Sequence, residues 1–313
     1  MVDSYALLAA KKEATYNFEI VPTLAANAIL TRNLKWTPVE VDMLERDLDL
    51  ASRGATPGVP TNKRQPFSFE CELQGGGAAG TAPRWMELLE ACGMAAPVLT
   101  ATVKAEQRFA LPGVALSSLT AYSWTGNQFH KTTGARGDFG FDFSAGRFPF
   151  LNVDYTGLIP ATFPRGVLAP GVPTFTAWPD PLEVNTANTS FTLDGYAAVL
   201  KTFKGSANAD IKLRNLVGAN YIQRGNHKMR VTLEIEAPSY NSKDYFATLS
   251  TGSRIAVQLV HGTVAGFIVQ IDSANLQITK ISQSKEDDIL MYSIEAMLTI
   301  TGAGADDLLL TAK

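Results

Sequence analysis

The chain has 313 residues, of which 46% are hydrophobic and 18% charged, and its 27 basic and 30 acidic side chains leave a net charge of −3. This apolar content is enough for a sizeable core and excludes intrinsic disorder, and the length leaves room for two domains. The weakly acidic balance excludes tight electrostatic capture of nucleic acid. No run of about 18 apolar residues offers a membrane-spanning helix.

Met1 to Ala10 carries Asp3, no early Lys or Arg and only a short apolar run, so a secretory signal is not expected. Cys71 and Cys92 therefore read as free thiols in a reducing compartment. The sequon Asn188-Thr189-Ser190 reads as idle.

Period-two patterning dominates the rest. Phe67 to Leu73, Phe139 to Phe143 and Val231 to Glu236 each alternate apolar and polar residues. In an extended strand that puts the apolar side chains on one face and the polar ones on the other. The expected class is mainly β, built from antiparallel sheets with one wet face.

Two short helices interrupt the strands. Thr81 is the expected cap of the first, with Pro83 near the first turn and Gly93 at the end. Trp85, Leu88, Leu89 and Cys92 make its apolar stripe. Ser242 is the expected cap of the second, Asp244 suits its positive end, Tyr245, Phe246 and Leu249 form its apolar face, and Gly252 stops it.

These elements recur in one order. Leu44-Glu45-Arg46-Asp47-Leu48 resembles Lys212 to Leu216, and Phe67 to Leu73 resembles Val231 to Ala237, with Glu70 on Glu234 and Glu72 on Glu236. Trp85 and Leu89 fall on Tyr245 and Leu249, and Leu119 to Trp124 falls on Ile255 to Val260. Phe150 to Gly157 parallels Ile294 to Gly302. The stretch between holds Pro160, Pro164, Pro170, Pro173, Pro179 and Pro181 and reads as a stiff connector. The expected division is a first domain at 1–158 with an N-terminal arm, a connector at 159–188 and a second domain at 189–313.

Motifs that suggest chemistry are weak. Gly75 to Gly80 satisfies G-x-G-x-x-G between a strand and a helix, but no further β-α-β unit follows, so it reads as a flexible connection. Ser282-Gln283-Ser284-Lys285 fits S-x-x-K in a polar, acidic segment and reads as a solvated hairpin tip. His130, His227 and His261 have no metal-ligand spacing, and Asp287-Asp288 and Asp306-Asp307 are adjacent, so on a strand each pair points to opposite faces. No catalytic residue, metal site or cofactor is expected, and the chain does not read as an enzyme. Two long loops are more suggestive. Ala51 to Gln65 carries Arg53, Lys63 and Arg64, and Gly218 to Arg230 carries Arg224, His227, Lys228 and Arg230. They suit contacts to acidic patches on another molecule.

Several segments resemble the major tail tube proteins of long-tailed phages. They are Gly80 to Gly93, His130 to Gly137, Asn188 to Ala198 and Leu259 to Gly266. The resemblance implies two tandem tail-tube-type β-sandwich or half-barrel domains, each with a short flanking helix. It implies a structural virion protein, made in the host bacterial cytoplasm, whose homotrimeric rings with pseudo-sixfold symmetry stack into a tube for genome ejection. Its partners would be itself, the tape-measure protein, transiently genomic DNA, and the tail terminator and distal tail proteins, with no membrane. Arg53, Lys63, Arg64, Arg224, Lys228 and Arg230 would then make contacts between rings, and Glu70, Glu72, Glu234 and Glu236 would face the lumen. The competing reading is another β-rich virion component, a decoration or receptor-binding protein.

Overall fold

A computed structural model describes residues 5–46, 48, 54–126, 128–160 and 171–313. The first half runs β1 (Ala6–Lys12), α1 (Leu24–Asn27), β2 (Ala28–Ile29), β3 (Arg32–Trp36), β4 (Glu40–Leu44), β5 (Val59–Glu72), α2 (Arg84–Glu90), β6 (Val98–Thr100), β7 (Lys104–Arg108), β8 (Leu119–Thr125), β9 (Gln128–Ser144) and β10 (Phe150–Leu158). The second half runs β11 (Thr189–Leu193), β12 (Tyr196–Ala197), β13 (Leu200–Ser206), β14 (Ile211–Leu216), β15 (Ala219–Arg224) and β16 (Arg230–Glu236). It continues through α3 (Tyr245–Thr251), β17 (Arg254–His261), β18 (Val269–Glu286), β19 (Ile289–Leu298) and β20 (Leu309–Ala312). The chain is mainly β, as the alternation requires.

One antiparallel run crosses both halves in the order β3–β5–β10–β9–β13–β16–β19–β18. The pairing order β3–β5–β10–β9 recurs as β13–β16–β19–β18. The two sets are joined by β9 to β13, with Phe203 opposite Phe143 and Gly205 opposite Phe141. The long strands β9 and β18 each leave this run at their first half. There β9 pairs with β8, β8 with β1 and β1 with β2, while β18 pairs with β17, β17 with β11 and β11 with β12. The result is a second layer behind each half of the run.

The core lies between the layers. Phe67, Phe69 and Cys71 of β5, Leu151, Val153 and Tyr155 of β10, and Phe139, Phe141 and Phe143 of β9 are all buried. So are Phe203, Val231, Leu233, Ile235 and Ile294 on the other side of the joint. Each contributes about 1.5–3 kcal/mol by leaving water. Helix α2 closes the first half over this layer, with Trp85, Met86, Leu88 and Leu89 buried. The Trp85 indole donates to the Gln74 carbonyl at 2.8 Å and the Tyr155 hydroxyl to the Leu88 carbonyl at 2.8 Å, so both polar tips are satisfied.

Both helices start later than their expected caps. Pro83, not Thr81, holds the N-cap of α2, because its fixed φ of −64° and missing N–H suit the first turn. Asp244, not Ser242, caps α3 and accepts from the Phe246 and Ala247 amides at 3.0 Å each. Gly252 ends α3 in the left-handed conformation at φ 65°, as its position suggests. The glycine run has a packing origin. A Cβ on Gly75 would stand 2.2 Å from the Gly266 carbonyl oxygen, and Gly77 donates to that same oxygen at 2.9 Å.

The C-terminal segment pairs as a strand inside its own chain. Strand β20 lies between β18 and β7, with Leu310 opposite both Ile271 and Gln107. The described part of the proline-rich stretch also packs inward. Trp178 is buried and donates to the Ala28 carbonyl at 3.1 Å, and Val184 bonds the β9–β10 turn at Gly146 and Arg147.

The first strand is anchored by one buried carboxylate. Glu13, 4% exposed, accepts from Ser118 Oγ at 2.5 Å, Thr120 Oγ1 at 2.8 Å and the Gly134 and Asn17 amides at 2.8 Å each. Removing it strands several buried donors. Glu13→Ala is expected to lower unfolding free energy by roughly 3 kcal/mol in denaturant titration, with Glu13→Gln recovering part of the loss by keeping one acceptor.

Candidate functional site

The outward face of the long run is largely polar. Register fixes its rows. Arg32, Glu70, Asn152, Gly140, Ser206, Arg230, Met297 and Gln277 stand side by side across the eight strands. A second row holds Glu72, Phe150, Asp142, Lys204, Thr232, Glu295 and Lys280. The alternation that buries Phe67, Phe69 and Cys71 turns Glu70 and Glu72 outward, and the same alternation on β16 turns Glu234 and Glu236 outward. The four acids singled out from sequence therefore share one face of one sheet.

That face is a lattice of opposed charges. Arg32 Nε sits 2.9 Å from Glu70 Oε2, Lys204 Nζ 3.0 Å from Asp142 Oδ2 and Lys280 Nζ 2.7 Å from Glu295 Oε1. Lys201 reaches Glu234 at 3.5 Å and Glu286 at 2.6 Å. These exposed pairs add little stability, but they neutralise much of the acidic charge. Lys201, Lys204, Asp142 and Glu286 were not singled out from sequence. Asp142 was legible in the Phe139 to Phe143 alternation, whereas the lysines lie on β13, whose pattern is broken by a bulge between Leu200 and Thr202.

Burial raises the pKa of some acids of this face. Burial pushes the Glu72 carboxyl above its usual range, with Asp180 adding to the rise and Arg32 opposing it. Asp138, on the same face opposite Asp154, is raised chiefly by burial, against lowering hydrogen bonds from the Ala209 and Phe139 amides.

The basic residues fall into different settings. Arg53 lies outside the described residues. Lys63 and Arg64 belong to β5, in the stretch that pairs with β4, and Arg64 binds Glu40 and Asp42 of that hairpin. The Asn215 side-chain amide of β14 donates to Asn62 Oδ1 at 3.2 Å, so the β4–β5 and β14–β15 hairpins touch. Lys228 is exposed just before β16, and Arg230 is the first residue of β16, on the polar face itself. Arg224 departs most from its expected place at a loop surface. It is 5% exposed, lies 5.8 Å from the Phe109 ring, and its Nε and Nη2 have no partner among the described residues. It ends β15, so the strand's own alternation turns it inward.

The histidines occupy three separate environments. His130 stacks beside Trp36, His261 Nδ1 lies 2.8 Å from Thr189 Oγ1, and His227 Nε2 lies 2.7 Å from Asp307 Oδ2 while stacking on Phe109. Burial pulls His130 and His261 below the usual imidazole range. The last pair borders a cleft of about 840 Å³ with Leu111, Arg224 and Met297. Among the described residues, no group of three or more His, Cys, Asp or Glu is placed to hold a metal ion, and no helix is long and apolar enough to cross a membrane. Ser282 and Lys285 lie in β18, running into the turn at Asp287 and Asp288.

Asp138 gives the face a measurable pH signature. Its raised pKa means the folded chain binds this proton more tightly than the unfolded chain, so ionisation destabilises the fold at neutral pH. Asp138→Asn is expected to be more stable than the parent at pH 7. The gap should close as pH falls through the raised value toward 3.8, read from urea midpoints across that range.

A family model described as "Phage tail tube protein" matches residues 4–298. No curated protein matches the chain. The match spans both halves of the long sheet and both flanking helices, and on that extent the chain belongs to the phage tail tube protein family.

Proposed function

We propose that this protein is a structural virion component that self-assembles into stacked rings, forming the phage tail tube through which the genome is ejected. The observation that carries this reading is the eight-strand run with a polar outward face and an open edge at each end. Strand β3 pairs only with β5, and β18 beyond Ile278 pairs only with β19, among the described residues. Open edges invite pairing with another chain, and closure removes them.

The recurrence of four-strand sets supports a division into two tandem domains, 1–158 and 189–313, with 159–188 between them. Three chains then supply six sets, giving a homotrimeric ring with pseudo-sixfold symmetry. In that ring the polar face, with Glu70, Glu72, Glu234 and Glu236, lines the lumen. Carboxylates repel phosphates, while the interspersed lysines and arginines keep the field weak, so DNA passes without being gripped. The touching β4–β5 and β14–β15 hairpins, with Lys63, Arg64 and the exposed Val217 at the tip of the second, are the parts proposed to meet the next ring. Lys228 and Arg230 stand near their base, and Arg53 is proposed for the same contact. The protein turns over no substrate. Its partners are itself, the tape-measure protein, transiently genomic DNA, and the tail terminator and distal tail proteins.

Negative-stain microscopy of the purified full chain tests the reading. Hollow tubes or three-chain rings are expected, and isolated globules would favour a decoration or receptor-binding component instead. Lumen charge is tested by changing Glu70, Glu72, Glu234 and Glu236 together to lysine. Tubes should still form, while virions carrying them should eject DNA more slowly. Unchanged ejection would remove the acids from the lumen.

A further inference from the structure

The joint between the two halves is a template for the joint between chains. Resting on the ring reading above, we propose that β18 of one copy pairs antiparallel with β3 of the next in one defined register. Arg32 stands opposite Glu286, Lys35 opposite Ser284 and Trp36 opposite Gln283, with the Trp36 indole N–H donating to the Gln283 side-chain oxygen.

The register follows from the recurring ladders. Glu70 pairs with Asn152 and Glu234 with Ser293, so β5 and β10 align with β16 and β19 without a shift. Asp142 faces Phe150 as Ser284 faces Met291, and Phe141 faces Leu151 as Gln283 faces Tyr292. The edge of β9 at Phe141 and Asp142 thus corresponds to the edge of β18 at Gln283 and Ser284. At the opposite end, Lys35 and Trp36 pair with Ser68 and Phe67 as Lys204 and Gly205 pair with Thr232 and Val231. Inside the chain those two edges meet, with Lys204 opposite Asp142 and Gly205 opposite Phe141. Among the described residues, the corresponding outer edges of β3 and of β18 beyond Ile278 have no strand beside them.

The side chains at these positions are complementary in volume, and in reverse. Inside the chain a large residue on β9 covers a glycine on β13. A Cβ on Gly205 would stand 2.4 Å from the Phe141 ring. At the outer edges the large residue moves to the other strand, with Trp36 facing the smaller Gln283. Trp36 already stacks on Phe67 at 4.5 Å between ring centroids, so it points into the layer between the sheets. Gln283 faces Tyr292, which is buried, so its side chain points into that same layer while remaining exposed in the single chain. Trp36 Nε1 is buried and has no hydrogen-bond partner among the described residues. A buried indole N–H costs free energy until it finds an acceptor, and the glutamine amide supplies one where the register brings it. On the polar face the same register sets Arg32 opposite Glu286, an opposite-charge pair.

Cysteine pairs in the full chain test the register. Cys71 and Cys92 are buried and do not compete. Lys35→Cys with Ser284→Cys is expected to give a covalent species of three times the chain mass on non-reducing gels of assembled material, because directly opposed strand residues lie within disulfide reach. Lys35→Cys with Ser282→Cys, shifted by two residues on the same face, is expected to stay uncoupled. If the shifted pair links instead, or neither links although microscopy shows closed rings, the register is wrong and the tube reading stands. If neither variant nor parent forms rings or tubes, both fall. The indole contact has its own readout. Trp36→Phe and Gln283→Ala should each raise the concentration needed for assembly about fivefold, and the double variant no more than either alone. Additive losses would overturn the hydrogen bond.

Discussion

The backbone ladder between β9 and β13 is the constraint on which the rest of this protein depends. Each half makes a four-strand set with a greasy inner face and a polar outer one, and each set alone would end in two unsatisfied edges. Pairing Thr202 to Ser206 with Ser144 to Gly140 removes one edge from each and makes the outer face continuous. The ladder tolerates few residues. Gly140 is held small by the Gly205 carbonyl, 2.7 Å from where its Cβ would stand, and Gly205 by the Phe141 ring at 2.4 Å, while Phe143 and Phe203 fill the layer beneath. Backbone hydrogen bonds set the direction of the joint, and aromatic packing fixes its position along the strands.

Much of this was legible in the residues. Strict alternation at Phe67 to Leu73 and Val231 to Glu236 gave both the class and the face of each acid, because a period of two leaves no freedom about which side a glutamate takes. The recurrence of elements was also visible, though its final strand was matched out of step. Ladder register places Leu151 against Tyr292, whereas the sequence match runs from Phe150 against Ile294. Two apolar strands with similar spacing align almost equally well at several offsets, and only the partner strand chooses among them.

What was not legible depends on contacts distant in sequence. Arg224 sits in a run of polar loop-like residues, yet it ends a strand whose hairpin folds against β9, and there a long cation is enclosed. The caps moved because local chemistry offered rivals. Thr81 and Ser242 are good capping residues, but Pro83 and Asp244 stood closer to the first helical turn. The C-terminal residues carry no mark distinguishing an intrachain strand from an extrachain one, since an edge strand satisfies its backbone equally well in either place.

Strand β20 has a further geometric consequence. By pairing with β18 on one side and β7 on the other, it ties the back of the second half to a hairpin of the first, while β9 and β13 tie the fronts together. Two connections at different depths act as a hinge pinned twice, so the angle between the four-strand sets is settled within a single polypeptide. Any larger object built by repeating this sheet inherits that angle at each joint inside a chain.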